Sequence, residues 1–188
     1  MRLLALADRP FHADAALIAA QRDVDAIVCL GDLQPSWLET LDGVRLPKLG
    51  VYGNHDDEPY MDWFGIDNLH LRRIHLDDGT SFCGFEGCVA YKRSGHKVGP
   101  SYTQKQASKL ARKLPAADVL LCHCPPRGVN DDPEDNAHIG FDGLRDWVLR
   151  HRPRVLLHGH VHPHPGQLTD RIADTRVVYV NGARIVEV

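Results

Sequence analysis

The sequence has 188 residues, 43% of them hydrophobic, which is typical of a globular protein with a sizeable core. Its 22 lysines and arginines nearly balance 25 aspartates and glutamates, and a net charge of −3 gives no electrostatic signal for long nucleic acids. No segment has the ~18 apolar residues that a membrane-spanning helix needs. We therefore expect a single domain over residues 1–188 and a cytoplasmic location, with neither a membrane nor a long nucleic acid as partner.

The five cysteines predict neither a disulfide framework nor a cysteine zinc site, because their number is odd and no two are spaced as CxxC. Cys122 and Cys124 flank His123, an arrangement that fits a catalytic thiol. Free cysteines are usually small buried residues, and a buried strand end is the favoured interpretation.

Five short apolar runs predict strands, and a polar turn follows each of them. Runs of this length without alternation are typical of strands covered on both faces. The runs are Leu3–Ala7, Ala26–Leu30, Leu49–Tyr52, Val119–Cys122 and Val155–Leu157.

Helical patterns lie between these strands. One covers residues 14–22, and another begins at a capping box formed by Thr103 and Gln106 and ends at Pro115. A third has an apolar stripe around Trp147. Strands that alternate with helices predict a layered α/β fold.

Two segments indicate antiparallel strands in addition. Residues 72–85 predict a hairpin around Asp78-Gly79, and residues 176–188 predict two strands around Asn181-Gly182. We therefore expect mixed rather than purely parallel sheets.

Polar signals follow the predicted strands in a fixed order. Because ligands of open α/β sheets bind beyond the carboxyl ends of the strands, we expect these side chains to converge. Carboxylate, amide and imidazole ligands suit Mn, Fe or Zn, and a pair of metals suits phosphate ester hydrolysis. The signals are Asp8, Gly31-Asp32, Gly53-Asn54-His55-Asp56, His123 and Gly159-His160-Val161-His162.

At these residues the sequence resembles the calcineurin-like metallophosphoesterase superfamily, whose pattern is DxH, GD, GNH[DE], H and GHxH. The resemblance covers roughly residues 1–165, and Cys122-His123-Cys124-Pro125-Pro126 is similar to the HxPP turn of smaller members. It implies a four-layer α/β/β/α sandwich with mixed sheets and a metal site at the carboxyl ends of the strands.

The resemblance also implies a role for each matching residue. Two divalent transition metal ions, with Mn favoured over Fe and Zn, would be bridged by Asp32. Asp8 and His162 would bind the first ion. Asn54, His123 and His160 would bind the second ion. His55 would lie over the phosphate and stabilise charge or protonate the leaving oxygen, and Asp56 would orient His55.

The first motif departs from the family pattern, because Pro10 occupies the position of the expected histidine. Three interpretations stay open. His12 replaces the missing ligand, water completes a site formed by Asp8, Asp32 and His162, or the first site is empty.

The expected function is hydrolysis of a small phosphate ester, with a phosphodiester favoured, by attack of a metal-bound hydroxide. The alternative is a catalytically weakened or inactive member that serves as a binding or scaffold module.

Three further features lie near the polar signals. Residues 130–136 form an acidic loop that is predicted to be solvated. His138 is either a surface residue or part of the cleft, and His158 is either a supporting residue of the site or packed inside.

Overall fold

Two β-sheets packed face to face form the centre of the fold. The computed structural model describes residues 1–10, 23–91, 99–163, 166 and 168–188. The predicted helix over residues 14–22 and the alternative ligand His12 therefore lie outside the described residues.

The first sheet has five strands, which come from both ends of the chain. They are β1 (Arg2–Ala7), β2 (Ala26–Cys29), β3 (Lys48–Gly50), β4 (Asp67–Asn68) and β13 (Gly182–Glu187). Their order in the sheet is β13-β1-β2-β3-β4. Strands β1 to β4 are mutually parallel, and β13 is antiparallel to β1.

The second sheet has six strands. They are β5 (Arg73–His75), β6 (Ser81–Phe85), β9 (Val119–Cys122), β10 (Val155–His158), β11 (Arg171–Ile172) and β12 (Thr175–Tyr179). Their order is β11-β12-β10-β9-β6-β5. The four central strands are parallel, and both edge strands are antiparallel to their neighbours. A separate parallel pair is formed by β7 (Cys88–Val89) and β8 (Ser101–Tyr102).

The described helices lie on the outer faces of the two sheets. Their bounds are α1 (Pro35–Leu38), a 3₁₀ turn (Glu39–Leu41), α2 (Tyr60–Trp63), α3 (Gln104–Ala111) and α4 (Asp142–His151). The capping box predicted at Thr103 is confirmed, since Thr103 accepts from the backbone N–H of Gln106 and the Gln106 side chain accepts in return from Thr103.

Alternate residues of each strand pack into different layers, which explains the unbroken apolar runs. Leu3 and Ala5 pack between the sheets together with Val119 and Leu121. Leu4 lies in a second cluster with α1 and α2. A third cluster joins the outer face of the second sheet to α3 and α4. Three apolar layers between four structural layers confirm the predicted mixed α/β/β/α arrangement.

Of the two antiparallel segments, one forms a hairpin and the other does not. β5 and β6 pair with Ile74 opposite Phe82, as predicted. The strands around Asn181-Gly182 belong to different sheets: β12 pairs with β10, and β13 pairs with β1. The turn therefore carries the chain from one sheet to the other, where β13 closes the edge beside β1.

This topology brings the carboxyl ends of the parallel strands to one edge of the molecule. Main-chain hydrogen bonds join the segments that follow them, including Asp8 N–H to Gly31 O at 3.3 Å and Gly159 N–H to His123 O at 3.0 Å. The polar residues beyond the strands are thus held by backbone contacts. Among the described residues, no helix has the length and apolar character needed to cross a membrane.

We predict that Gly143→Ala destabilises the fold. A Cβ at Gly143 of α4 would lie 2.6 Å from Ser108 Cα of α3, so the two helices would have to separate. Overpacking of this kind costs about 1–3 kcal/mol, which exceeds the helix propensity gain of at most about 1 kcal/mol. Urea unfolding should show a net loss of about 1–2 kcal/mol. The exposed Asp146→Ala on α4 is the control, and a gain in stability for Gly143→Ala would contradict this packing.

Candidate metal centre

The candidate site is formed where five parallel strands end. Asp8 follows β1, Asp32 follows β2 and Asn54 follows β3 in the first sheet. His123 follows β9 and His160 follows β10 in the second sheet. The predicted convergence of side chains from both sheets is thus visible in the structure.

Asp8, Asp32 and His123 form the centre of this site. A carboxylate oxygen of each aspartate and a ring nitrogen of His123 all lie within 4.8 Å of one another. His123 Nε2 lies 3.5 Å from Asp32 Oδ2 and 3.0 Å from Asn54 Oδ1. Two carboxylates, an amide oxygen and an imidazole are a donor set that suits divalent transition metals.

A backbone contact fixes the orientation of the His123 imidazole. The ring is fully buried, and its Nδ1–H donates to Leu30 O at 2.8 Å. Nε2 is therefore the nitrogen that faces Asp32 and Asn54. Metal-binding histidines commonly direct one nitrogen to the ion and the other to a carbonyl in this way.

His160 is held on both its backbone and its ring. Its backbone N–H donates to both oxygens of Asp8, at 3.1 and 3.0 Å, and its Nε2–H donates to Ala137 O at 2.8 Å. Burial and the nearby His123 lower the pKa of His160 to about 3. The neutral ring keeps a lone pair on Nδ1, and its centroid lies 4.9 Å from that of His123.

His162 has a more exposed side chain than His123 and His160. Its side chain is exposed and does not join the group of Asp8, Asp32 and His123. Its ring centroid lies 5.6 Å from that of His138, which in turn lies 5.3 Å from that of His160. His138 is thus part of the cleft wall and not an isolated surface residue.

Asp56 has a different set of contacts from the one predicted. Its carboxylate accepts from the backbone N–H groups of Gly53 at 2.6 Å, Asp32 at 2.9 Å and Leu33 at 3.0 Å. It also accepts from the Tyr60 hydroxyl at 3.0 Å. None of these bonds goes to His55, so the contacts of Asp56 join the loops after β2 and β3, and its role in orienting the imidazole stays a prediction.

His55 is exposed and lies beside the centre. Its backbone N–H donates to Asp32 Oδ1 at 2.8 Å. Its side chain lines a cavity of about 280 Å³ together with Asp8, Asp32 and Trp37. A group bound in this cavity would contact both the imidazole and the carboxylates.

Three residues of the site have left-handed backbone conformations, which are rare for residues other than glycine. Asp8, Asp32 and His160 have φ values of 62°, 53° and 69°. Each such residue costs of the order of 1–3 kcal/mol and persists only where its surroundings hold it. The three contacts between Asp8 or Asp32 and neighbouring backbone N–H groups supply part of that restraint.

Two glycines of the motifs permit close approach between loops. A Cβ at Gly53 would overlap Asp32 Oδ1, and a Cβ at Gly159 would overlap Asp8 Oδ2. Glycine at these positions is therefore required by the carboxylates packed against it.

The electrostatics of the centre favour a cation. The pKa of Asp8 is raised to about 6, because burial, together with the charges of Asp32 and Asp56, outweighs the opposing effects of His123 and the His160 N–H. Burial also tends to raise the pKa of Asp32, but the His123 charge and hydrogen bonds to Asp32 outweigh it and lower that pKa. A divalent cation would offset the clustered negative charge, so these residues fit a metal ion.

The acidic loop after β9 is the part of the site that the sequence did not reveal. Its carboxylates bind its own backbone: Asp131 accepts from Gly128 and Gly140, and Asp135 accepts from Ala137. The loop thereby presents Ala137 O to His160. From the sequence, a run of acidic residues indicated a solvated loop. The one available signal for these turns is the spacing of the aspartates, since an aspartate side chain can accept from a backbone N–H a few residues further along the chain.

Neighbouring residues support the site without facing it. His158 is fully buried, donates from Nδ1–H to Gly159 O at 3.0 Å, and accepts from Asn130 Nδ2 at 2.9 Å.

Cys122 and Cys124 are buried, and burial raises the pKa of both thiols. A catalytic thiol needs an accessible thiolate, so the buried-strand interpretation of these cysteines agrees with the structure.

We predict that Asp56→Asn lowers stability more than Tyr60→Phe. The asparagine side chain has only one oxygen for the four hydrogen bond donors that the Asp56 carboxylate serves. Buried N–H groups are then left without an acceptor, which lowers the free energy of unfolding by about 1–3 kcal/mol. Tyr60→Phe removes one of the four bonds and should cost about 1 kcal/mol. Urea unfolding measures both losses, with the exposed Asp57→Asn as control. An Asp56→Asn protein as stable as wild type would show that the loops do not depend on this carboxylate.

We also predict that Asp8 makes the metal-free protein less stable as the pH rises. The pKa of Asp8 in the folded state, about 6, lies above its ordinary value of 3.8. A raised pKa contributes stability below about pH 4, and this contribution is lost as the pH passes about 6. Relative to Asp8→Asn in EDTA, wild type should lose about 2–3 kcal/mol between about pH 4 and pH 7. If the difference in free energy of unfolding between wild type and Asp8→Asn stays constant across this pH range, the prediction is wrong.

Comparison with solved structures agrees with the fold. A crystal structure of TT1561 from Thermus thermophilus has 18% sequence identity and a TM-score of 0.65, and the match covers 95% of this chain and 88% of that one. A second crystal structure has 18% identity and a TM-score of 0.60, with 94% and 89% of the two chains covered. These similarities show the fold. A search of curated proteins gave no match.

The family assignment comes from a sequence profile. The profile of the calcineurin-like phosphoesterase superfamily domain matches residues 1–184, nearly the whole chain. The family carries out metal-dependent phosphoester hydrolysis, and the clustered Asp8, Asp32 and His123 agree with a metal site. The protein belongs to the calcineurin-like phosphoesterase superfamily.

Proposed function

We propose that this protein is a metal-dependent phosphodiesterase that hydrolyses a small organic phosphodiester. The observation that carries this proposal is the convergence of Asp8, Asp32, Asn54 and His123 at the ends of strands from both sheets. Oxygen and imidazole donors with an adjoining cavity are what a hydrolytic metal site requires.

Two divalent transition metal ions, with Mn²⁺ as the first choice, are proposed as cofactors. Asp8, Asp32 and His162 would hold one ion, and Asp32, Asn54, His123 and His160 would hold the other. When bound, such ions lower the pKa of water and neutralise charge on the phosphate oxygens. The exposed position of His162 makes it the ligand that depends most on the bound ion for its placement.

The charges of the cavity support a diester rather than a monoester. The 280 Å³ cavity at Asp8 and Asp32 is also lined by Asp56, Asp57 and Glu58, and its described lining includes no lysine or arginine. A phosphodiester carries one negative charge and a monoester close to two near neutral pH. The dianion is repelled more strongly by such a lining, so the cavity discriminates in favour of the diester.

His55 is the proposed catalytic residue. Its exposed imidazole lines the same cavity as the carboxylates, and its backbone is fixed to Asp32. An imidazole in this position can donate a hydrogen bond to a phosphate oxygen and transfer a proton to the leaving oxygen. Asp56 contributes by holding the loop that carries His55.

Pro10 favours a second candidate function. It is exposed and supplies no ligand atom from its side chain, so the first ion loses a histidine that the family pattern provides. A binding module that has lost catalysis would tolerate this change.

The cytoplasmic location stays a prediction from sequence.

We predict that the Mn²⁺-loaded protein hydrolyses bis-p-nitrophenyl phosphate faster than p-nitrophenyl phosphate. Asp32→Ala should lose bound metal and at least about 100-fold in kcat/KM, because Asp32 is the residue that would hold both ions. His55→Ala should keep its metal and lose about 10²–10⁴-fold in kcat, the contribution typical of general acid catalysis. Release of p-nitrophenolate and elemental analysis give the two readouts.

The surface variant Asp146→Ala is the control for this experiment. If wild type is inactive with Mn²⁺, Fe²⁺ and Zn²⁺ and equals both variants, the phosphodiesterase proposal fails and the binding module is favoured. Elemental analysis of the inactive protein then shows whether such a module still binds metal ions.

A further inference from the structure

A second cavity lies beside the candidate metal centre. It has a volume of about 330 Å³, and its lining includes Asn130, Asp132, His138 and His162. His162 and the neighbouring His160 connect this cavity to the centre, since the rings of both lie next to that of His138. The cavity is therefore placed to receive the part of a substrate that extends beyond the phosphate.

Several polar groups of this cavity are already bound within the protein. The Asn130 amide bonds to His158 and to the backbone of Thr169. Both oxygens of Asp131 accept from backbone N–H groups. Asp132 Oδ1 accepts from the Glu134 N–H.

His138 and Asp132 line this cavity, and within the described residues neither His138 Nε2 nor Asp132 Oδ2 has a side-chain hydrogen bond to the protein. His138 Nδ1–H donates to Asp135 Oδ2 at 2.5 Å. This bond holds the imidazole proton on Nδ1, so Nε2 is the ring nitrogen that can accept a hydrogen bond from a ligand. Asp132 Oδ2 is also an acceptor, so the cavity presents two hydrogen bond acceptors.

Acceptors of this kind select for hydrogen bond donors that carry no negative charge. An alcohol hydroxyl supplies such a donor, whereas a carboxylate or a second phosphate would face Asp132 with like charge. An apolar alkyl group would leave both acceptors without partners.

We propose that this cavity binds a hydroxyl-bearing organic group of the substrate, such as a glycerol or sugar moiety, and that His138 Nε2 accepts a hydrogen bond from one of its hydroxyls. His138 is then a specificity residue, and Asp135 is the positioning residue that sets its tautomer. This inference rests on the proposed phosphodiesterase function and narrows its substrate class.

The test compares two substrates that differ only in hydroxyl groups, glyceryl p-nitrophenyl phosphate and propyl p-nitrophenyl phosphate. Wild type should prefer the glyceryl ester by about tenfold in kcat/KM, the effect of one to two hydrogen bonds at a partly exposed site. His138→Ala should reduce this ratio to near one. His138→Gln should keep part of the preference, because its amide oxygen accepts a hydroxyl.

Asp135→Asn tests the tautomer directly. Its single amide oxygen cannot serve both Ala137 N–H and His138 Nδ1–H, so the imidazole proton can move to Nε2 and the acceptor is lost. This variant should lose the glyceryl preference although His138 is still present. Glu134→Gln, an exposed residue of the same loop, is the matched control and should keep the wild-type ratio.

Binding provides a readout apart from turnover. Calorimetry on the Mn²⁺-loaded protein should show tighter binding of glyceryl phosphate than of propyl phosphate, and His138→Ala should remove the difference. A wild-type preference below twofold in both assays, or a preference that His138→Ala retains, overturns the proposal. If no form hydrolyses either ester, the phosphodiesterase function fails, whereas the binding comparison still decides the role of His138.

Discussion

The contact between the Asp8 carboxylate and the backbone N–H of His160 joins the two sheets at the site. Asp8 belongs to the first sheet and His160 to the second, and both oxygens of the carboxylate lie within hydrogen bond distance of the N–H. A second hydrogen bond across the sheets is donated by His123 Nδ1–H to Leu30 O. Asp32 and Asn54 follow strands of the first sheet and His123 follows a strand of the second, so a shift of one sheet against the other would break both bonds and separate the carboxylates from the imidazole.

The site combines backbone strain with tight restraint. Asp8, Asp32 and His160 hold left-handed conformations, and the backbone around them bonds to carboxylates, including that of Asp56. The energetic cost is acceptable in a fold with three apolar layers, because strain of a few kcal/mol is small beside the apolar area these layers bury. The result is a set of side chains positioned before any ligand arrives, which reduces the entropy cost of binding.

The sequence predicted the parts of the molecule that depend on local pattern. Apolar runs located the parallel strands, and the order of polar residues identified Asp32 and His123 because each directly follows such a run. The destination of the strand after Asn181 was not predictable, since a two-residue turn does not determine which sheet receives the next strand. The contacts of Asp56 and the presentation of Ala137 O were also missed, because both involve backbone groups that carry no sequence signal.

The pairing of β1 with β13 has a consequence for how the protein folds. These strands stand at opposite ends of the sequence, with Arg2 opposite Glu187, and β1 is followed directly by Asp8. Contacts of such high sequence separation form slowly, because a very long loop must close first. During synthesis β1 therefore has one unpaired edge until β13 has emerged, and an unpaired edge can pair with other chains. The strand that leads to Asp8 is thus open to misassembly while the residues between β1 and β13 are being made.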